Sequence, residues 1–112
     1  MQTALNDIIC RVLSDMKALN VVNLDVTELT PVTDRMIIAT GTSARHVKAM
    51  ANNILDAAHA EGYRALGAEG MDEGEWVCVD LGHIVVHLMQ PRVRDYYYLE
   101  GLWDKTRASI SA

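Results

Sequence analysis

The residue types able to do chemistry converge on one stretch, Trp76-Val77-Cys78-Val79-Asp80-Leu81-Gly82-His83-Ile84-Val85-Val86-His87-Leu88-Met89. A thiol, a carboxylate, two imidazoles and an indole lie close together there, which raises nucleophilic catalysis, metal binding and partner recognition as candidate functions. The outcome depends on which side chains meet. Glu75–Leu81 and Ile84–Met89 read as strands, and Gly82-His83 between them suits a two-residue type II′ turn with glycine first. That turn fixes the register. Leu81 pairs with Ile84, Cys78 with His87 and Trp76 with Met89, so Val77, Val79, Leu81, Ile84, Val86 and Leu88 share one apolar face. The other face carries Trp76, Cys78, Asp80, Val85, His87 and Met89.

Directly opposed, Cys78 and His87 would have Cα atoms about 4.5–5.5 Å apart, close enough for a thiolate–imidazolium pair. A reactive thiol also needs a group to orient the base and a site for substrate, and neither is evident in the sequence. Packing is the expected role, and no catalysis is expected. His83 and His87 at i, i+4 would share a helix face, but along a strand they lie about 13 Å apart, too far for one metal. His46 and His59 fit no ligand spacing, so no metal or cofactor is expected.

Gly41-Thr42-Ser43 between a strand and a helix resembles a phosphate-cradling turn, since helix N-terminal amides attract anions. It lacks the Lys-Ser/Thr of a P-loop and the three-glycine dinucleotide fingerprint. It also begins like the Gly-Ser element of nucleotidyltransferases, yet no Asp-x-Asp pair follows to hold Mg²⁺. Helix capping by Ser43 is therefore the favoured role. Arg45 and His46 are expected at the surface.

Several elements must position these residues. Leu5, Ile8, Ile9, Val12, Leu13 and Met16 keep one face of a helix expected over 3–19. Val21–Val26 reads as a strand, Thr27–Thr33 as a connection, and the nearly continuous apolar run Arg35–Thr40 as a central strand covered on both faces. Val47, Met50, Ala51, Ile54, Leu55 and Ala58 line a second helix that starts at Ser43 and stops at Gly62. Tyr63–Leu66 is expected as a short strand parallel to the strand before that helix, reached by a right-handed crossover. The acidic, glycine-rich segment Gly67–Gly74 is expected to be the longest loop. Arg94–Trp103 closes the chain as a short helix or turn rich in aromatics. The expected class is α/β, a mixed sheet of about five strands flanked by helices.

At 112 residues, half of them hydrophobic, the chain suits a single domain over 1–112 with 104–112 as a flexible tail. Fifteen acidic against 10 basic residues give a formal net charge of −5, which opposes a nucleic-acid grip built on clustered Lys and Arg. A basic protein partner fits better. Cys10 and Cys78 lie far apart with no CxxC pair, as in a reducing compartment, and no apolar run approaches a membrane span. A cytoplasmic location is expected.

Three separated blocks carry a family resemblance: Asp34–Val47, with the sequence Asp-Arg-Met-Ile-Ile-Ala-Thr-Gly-Thr-Ser-Ala-Arg-His-Val; Trp76–His87; and Tyr97-Tyr98-Leu99-Glu100-Gly101-Leu102-Trp103. In this order, covering about Leu5 to Trp103, they resemble the ribosomal silencing factor, or iojap-like, family. Arg35 departs from the aromatic usual beside the Asp, and Met36 and Met89 stand where relatives often carry Phe. The resemblance implies a small α/β fold distantly similar to nucleotidyltransferases, without known catalysis. It further implies binding to the large ribosomal subunit on its fourteenth ribosomal protein, blocking the small subunit from joining and lowering translation when nutrients are scarce.

The site residues follow from combining the two lines. Trp76 is either covered by the chain's own helices or left as a partner anchor, a role in which Trp is over-represented; the resemblance favours the anchor. Met89 across from it and His87 beside it extend the patch. Asp80 either organises the turn or contacts the partner. Tyr97 and Leu99 are expected to contact the partner from a C-terminal element, with Arg92 and Arg94 adding a slight positive patch and little direct nucleic-acid binding. An exposed apolar face also fits a homodimer in the free state. The alternatives are a nucleotidyltransferase-like nucleotide-binding module and a large-subunit assembly factor using the same docking surface.

Overall fold

The computed structural model describes residues 2–31 and 33–97, and the side chains of residues 4–31 and 33–94. Its elements are α1 (Gln2–Asp15), β1 (Leu19–Asp25), β2 (Arg35–Thr40), α2 (Ala44–Ala60), β3 (Gly67–Glu69), β4 (Trp76–Asp80), β5 (Ile84–Met89) and α3 (Pro91–Tyr97). The expected α/β class with a mixed five-stranded sheet is what forms, in the order β1-β2-β5-β4-β3. β2 and β5 run parallel, and every other neighbouring pair is antiparallel.

The apolar stripes of the two long helices find the same face of the sheet. Leu5, Ile9, Val12 and Leu13 from α1 join Val47, Met50, Ala51, Ile54 and Ala58 from α2 in one core with Ile37, Ala39, Val77, Val79, Leu81, Ile84, Val86 and Leu88. The six residues expected on one face of the hairpin are all buried there, each of these branched side chains contributing about 1.5–3 kcal/mol. β2 is buried on both faces from Met36 to Thr40, because Met36 and Ile38 feed a second, smaller cluster with Val26 and Met89 on the opposite side.

α2 begins as its sequence requires: Ser43 Oγ accepts from the His46 backbone N–H at 3.1 Å. Such a cap is worth about 1 kcal/mol. Gly62, at φ +88°, follows its last turn, where N–H groups of Glu61, Gly62 and Tyr63 return to Ala58 and His59 carbonyls.

Several expected boundaries shift: β1 is Leu19–Asp25 where Val21–Val26 was expected, and the closing helix starts at Pro91, not Arg94. α1 stops at Asp15 rather than 19, since a turn at Lys17, at φ 59°, leads directly into β1, where Asn20, at φ 49°, sits in the register shift between Leu19 and Val22. The third strand is not Tyr63–Leu66 but Gly67–Glu69, inside the segment expected as a loop. It runs in the same direction as β2 but does not pair with it, because β5 and β4 lie between; its ladder is with β4, Gly67 opposite Asp80 and Glu69 opposite Cys78. The β4–β5 turn differs in type. The His83 N–H bonds the Leu81 carbonyl at 3.2 Å around Gly82 at φ +86°, a γ-type closure tighter than the expected type II′ turn. The residues 98–103 of the expected closing element and the expected tail 104–112 lie outside the described residues.

Candidate functional site

The hairpin register brings the chemistry-bearing residues together as the sequence implies. Trp76 stands opposite Met89, Cys78 opposite His87 and Asp80 opposite Val85. Trp76, Cys78, Asp80, Val85 and His87 are each half-buried on the face away from α1 and α2. Beside them, Glu69 and Gly70 from the end of β3 close a groove of about 290 Å³ whose other walls are Trp76, Cys78 and His87. Gly70 approaches the Trp76 backbone so closely that a Cβ there would lie 2.0 Å from the Trp76 carbonyl oxygen, and its φ of +85° suits glycine alone.

Within the groove the Trp76 indole Nε1–H donates to His87 Nδ1 at 3.0 Å, with ring centroids 5.9 Å apart. His87 therefore uses Nδ1 as an acceptor, and burial pushes its pKa below the ordinary imidazole value of 6.5. The Cys78 thiol moves the other way: burial raises its pKa above 9.0, and the negative charges of Asp80 and Glu69 raise it further. A neutral thiol facing a neutral imidazole is the reverse of an activated nucleophile, whose pKa must be lowered by a nearby cation.

The remaining expected site residues separate. Asp80 Oδ1 accepts from the Gly82 N–H at 2.9 Å, so this carboxylate organises the hairpin turn while its side chain stays half-exposed. Met89 lies in the expected register but is fully buried among Val26, Met36 and Ile38, with Trp76, Leu24 and Val93 packed around it. It supports the patch from beneath and is removed from the contact surface. The side chain of Tyr97 and the whole of Leu99 lie outside the described residues. The expected positive patch shrinks to Arg92, which is 3.7 Å from Glu75, because Arg94 is buried at 6% exposure and donates to Thr40 and to the Asn20 carbonyl.

Two histidines have partners that the sequence did not disclose. His46, expected at the surface, is half-buried: its Nδ1 accepts from the Thr42 N–H at 2.9 Å and its Nε2 meets the Met16 carbonyl at 2.7 Å. This ring staples the end of α1 to the start of α2. His83 Nδ1 lies 2.9 Å from Asp34 Oδ2, joining the hairpin turn to the entry of β2.

The Gly41 and Thr42 amides of the Gly41-Thr42-Ser43 turn are engaged within the chain. Gly41 N–H donates to the Met89 carbonyl, Thr42 N–H to His46, and the His46 N–H to Ser43. A Cβ on Gly41 would sit 2.7 Å from Val47 Cγ2, so the glycine is there for close packing of α2 on the sheet. Among the described residues no group of three or more His, Cys, Asp or Glu is placed to hold a metal ion, and no helix is long and apolar enough to cross a membrane.

A family model described as ribosomal silencing factor during starvation matches residues 2–111. The chain is 46% identical to the ribosomal silencing factor of Chromobacterium violaceum over 99 residues, covering 88% of this chain and 81% of that protein. Against the ribosomal silencing factor of Haemophilus influenzae it is 41% identical, covering 89% and 98%. A crystal structure of a Chromobacterium violaceum protein superimposes with a TM-score of 0.88 at 44% identity, over 90% of this chain and 84% of that one. A mouse protein named mitochondrial assembly of ribosomal large subunit protein 1 is 39% identical over 88 residues, 71% of this chain and 39% of its own length.

Proposed function

The chain belongs to the family of ribosomal silencing factors that act during starvation, and from that premise we propose how it silences. It docks on the large ribosomal subunit, at the fourteenth ribosomal protein, and its bulk keeps the small subunit from joining. No chemistry on a substrate is involved. The observation that carries this proposal is the strip Trp76-Cys78-Asp80-Val85-His87: a sheet face with an indole at one end, half-buried rather than sealed into a core. Interfaces of this kind rely on a few aromatic anchors surrounded by contacts that exclude water. The net charge of −5 and the carboxylates of Glu69 and Asp80 around Cys78 on the same face suit a basic ribosomal protein. Asp80 and His87 contribute at the rim, and Tyr97, the last residue of α3, and Leu99 are further contacts.

Sedimentation of purified large and small subunits with the chain tests the proposal. It predicts co-migration with large subunits and fewer joined ribosomes, and both effects should be lost in Trp76→Ala.

A second role, in large-subunit assembly, is favoured by the name of the mouse relative. It would use the same docking surface but predicts incomplete large subunits during growth, whereas silencing predicts mature subunits held apart in starvation. Nucleotide binding finds little support, because the amides at Gly41 and Thr42 that would cradle a phosphate are engaged by Met89 and His46.

A further inference from the structure

Three strands bring a carboxylate, a thiol and an imidazole into one row. Glu69, at the end of β3, stands opposite Cys78 on β4, and Cys78 stands opposite His87 on β5. Directly opposed side chains on one face have Cβ atoms about 4.5–5.5 Å apart, so Cys78 lies between the other two. Trp76, two residues before Cys78 and on the same face, lies diagonally across from His87, and its indole N–H reaches Nδ1 at 3.0 Å. The same ring packs on the cluster of Val26, Met36, Ile38 and Met89, so its position is fixed from more than one side. Gly70 completes the frame, since its close approach to the Trp76 carbonyl brings the end of β3 against the start of β4.

The groove that Glu69, Gly70, Trp76, Cys78 and His87 line, about 290 Å³, suits a single side chain better than a cofactor, for which sites run from ~300 to 1,000 Å³. Its charge has one sign. The carboxylates of Glu69 and, further along the face, Asp80 both act on the Cys78 thiol, raising its pKa beyond what burial does. Among the described residues no Lys or Arg lines the groove: Arg92 lies 3.7 Å from Glu75, and Arg94 is turned to Thr40 and the Asn20 carbonyl. His87, whose pKa burial lowers, adds no positive charge at neutral pH. An aromatic wall combined with net negative charge is what a guanidinium selects, because it is flat and weakly hydrated, stacks on an indole and donates through its fork to a carboxylate. A lysine ammonium would meet the charge but gain less from the ring.

We propose that this groove is the receptor for one arginine side chain of the docking partner, its guanidinium stacked on Trp76 and paired with Glu69. This rests on the proposed ribosome docking and gives that surface its specificity: Trp76 supplies the buried area, and Glu69 decides which side chain is buried there. The receptor is preorganised, since the indole is fixed before the partner arrives and the exposed Glu69 is the group left to be ordered. The net charge of −5 attracts any basic surface, whereas this seat requires a carboxylate at position 69 in particular.

The test has two arms on the full chain, both with purified large subunits at neutral pH. In the first, dissociation constants are compared for variants shown by circular dichroism to be folded. Glu69→Gln keeps the size of the side chain and removes its charge, Glu69→Asp keeps the charge, and Asp72→Asn removes a charge from an exposed position outside the groove. Glu69→Gln should weaken binding about tenfold or more, Glu69→Asp less than that, and Asp72→Asn under about twofold. Equal effects of Glu69→Gln and Asp72→Asn, or of Glu69→Gln and Glu69→Asp, overturn the proposal. In the second arm, large subunits saturated with the chain are treated with phenylglyoxal, which modifies arginine, or acetic anhydride, which modifies lysine, and the modified sites are mapped by mass spectrometry. One arginine is expected to be shielded by the unsubstituted chain and exposed again under saturating Glu69→Gln, with the other shielded sites unchanged. Shielding of lysine alone, or of arginines that Glu69→Gln shields equally, overturns the proposal. An unsubstituted chain that does not bind large subunits overturns the docking reading itself, a result distinct from binding that persists unchanged in Glu69→Gln.

Discussion

Arg94, near the middle of α3, donates through Nη1 to the Thr40 hydroxyl at 2.8 Å, bonding the C-terminal helix to the last residue of β2 across 54 positions of sequence. The same nitrogen bonds the Asn20 carbonyl at the start of β1. One buried guanidinium thus ties three elements at the corner where the second hydrophobic cluster ends. Arg94→Ala should cost about 2–3 kcal/mol of stability, because charged hydrogen bonds are lost, one of them to the buried Thr40 hydroxyl. Urea unfolding measures this directly, and a loss under 0.5 kcal/mol would mean that the corner is held by other contacts.

Gly70 should be irreplaceable for a different reason. An alanine there combines the cost of a positive φ, about 1 kcal/mol or more, with a Cβ driven into the Trp76 carbonyl that no rotamer change relieves. Gly70→Ala is expected to lower the urea midpoint and to displace Trp76, weakening ribosome association without touching a contact residue. Wild-type stability together with wild-type binding would contradict the close approach. Gly62, with nothing within 4 Å of its Cβ direction, should suffer only the backbone cost.

Cys78 should be a slow nucleophile. Burial and the charges of Asp80 and Glu69 hold its thiol protonated, so at pH 8 iodoacetamide should modify it more slowly than a free cysteine in a short peptide. Glu69→Gln removes one of the two charges and should accelerate the reaction. A Cys78 that reacts faster than the peptide would reopen the case for a thiolate paired with His87.

Stability should fall as the solution is acidified through the range just below pH 6.5. The folded pKa of His87 lies below its unfolded value, so the unfolded chain binds the extra proton first and is favoured as pH drops; the stabilisation is fully present above 6.5. His87→Asn should remove this component from the pH dependence of urea unfolding. An unchanged pH profile would show that His87 does not titrate differently on folding.

Much of this architecture is legible in the sequence because the informative residues constrain one another locally. Gly82-His83 sets the register of β4 and β5, and the alternation from Val77 to Leu88 then decides which face is core. Ser43 and the spacing of Val47, Met50, Ile54 and Ala58 do the same for α2. β3 was hidden because Gly67-Ala68-Glu69 has no β-branched or aromatic residue. It becomes a strand through the edge that β4 offers, beginning with the Leu66 N–H on the Asp80 carbonyl.

The candidate site was legible in its register but not in its burial. Alternation places Met89 on the same face as Trp76, yet its neighbours Met36 and Ile38 come from a strand that is apolar on both sides, and they enclose it. Arg94 looked like surface charge for a similar reason: Thr40 and Asn20 are distant in sequence, and nothing in Pro91–Tyr97 announces them. The His46 staple likewise depends on a carbonyl 30 positions away. Local patterning reports which face a residue takes, while long-range packing decides whether that face is left open.

The central claim is that Trp76 anchors the chain to the large ribosomal subunit. Sucrose-gradient sedimentation of purified subunits with the unsubstituted chain and with Trp76→Ala tests it most directly, with circular dichroism to show that both are folded. The account predicts that the unsubstituted chain travels with large subunits and reduces joining, while Trp76→Ala loses about 2 kcal/mol or more of binding and stays near the top. Equal co-migration of the two chains would contradict this face as the docking surface, and an unsubstituted chain that stays at the top would contradict docking altogether.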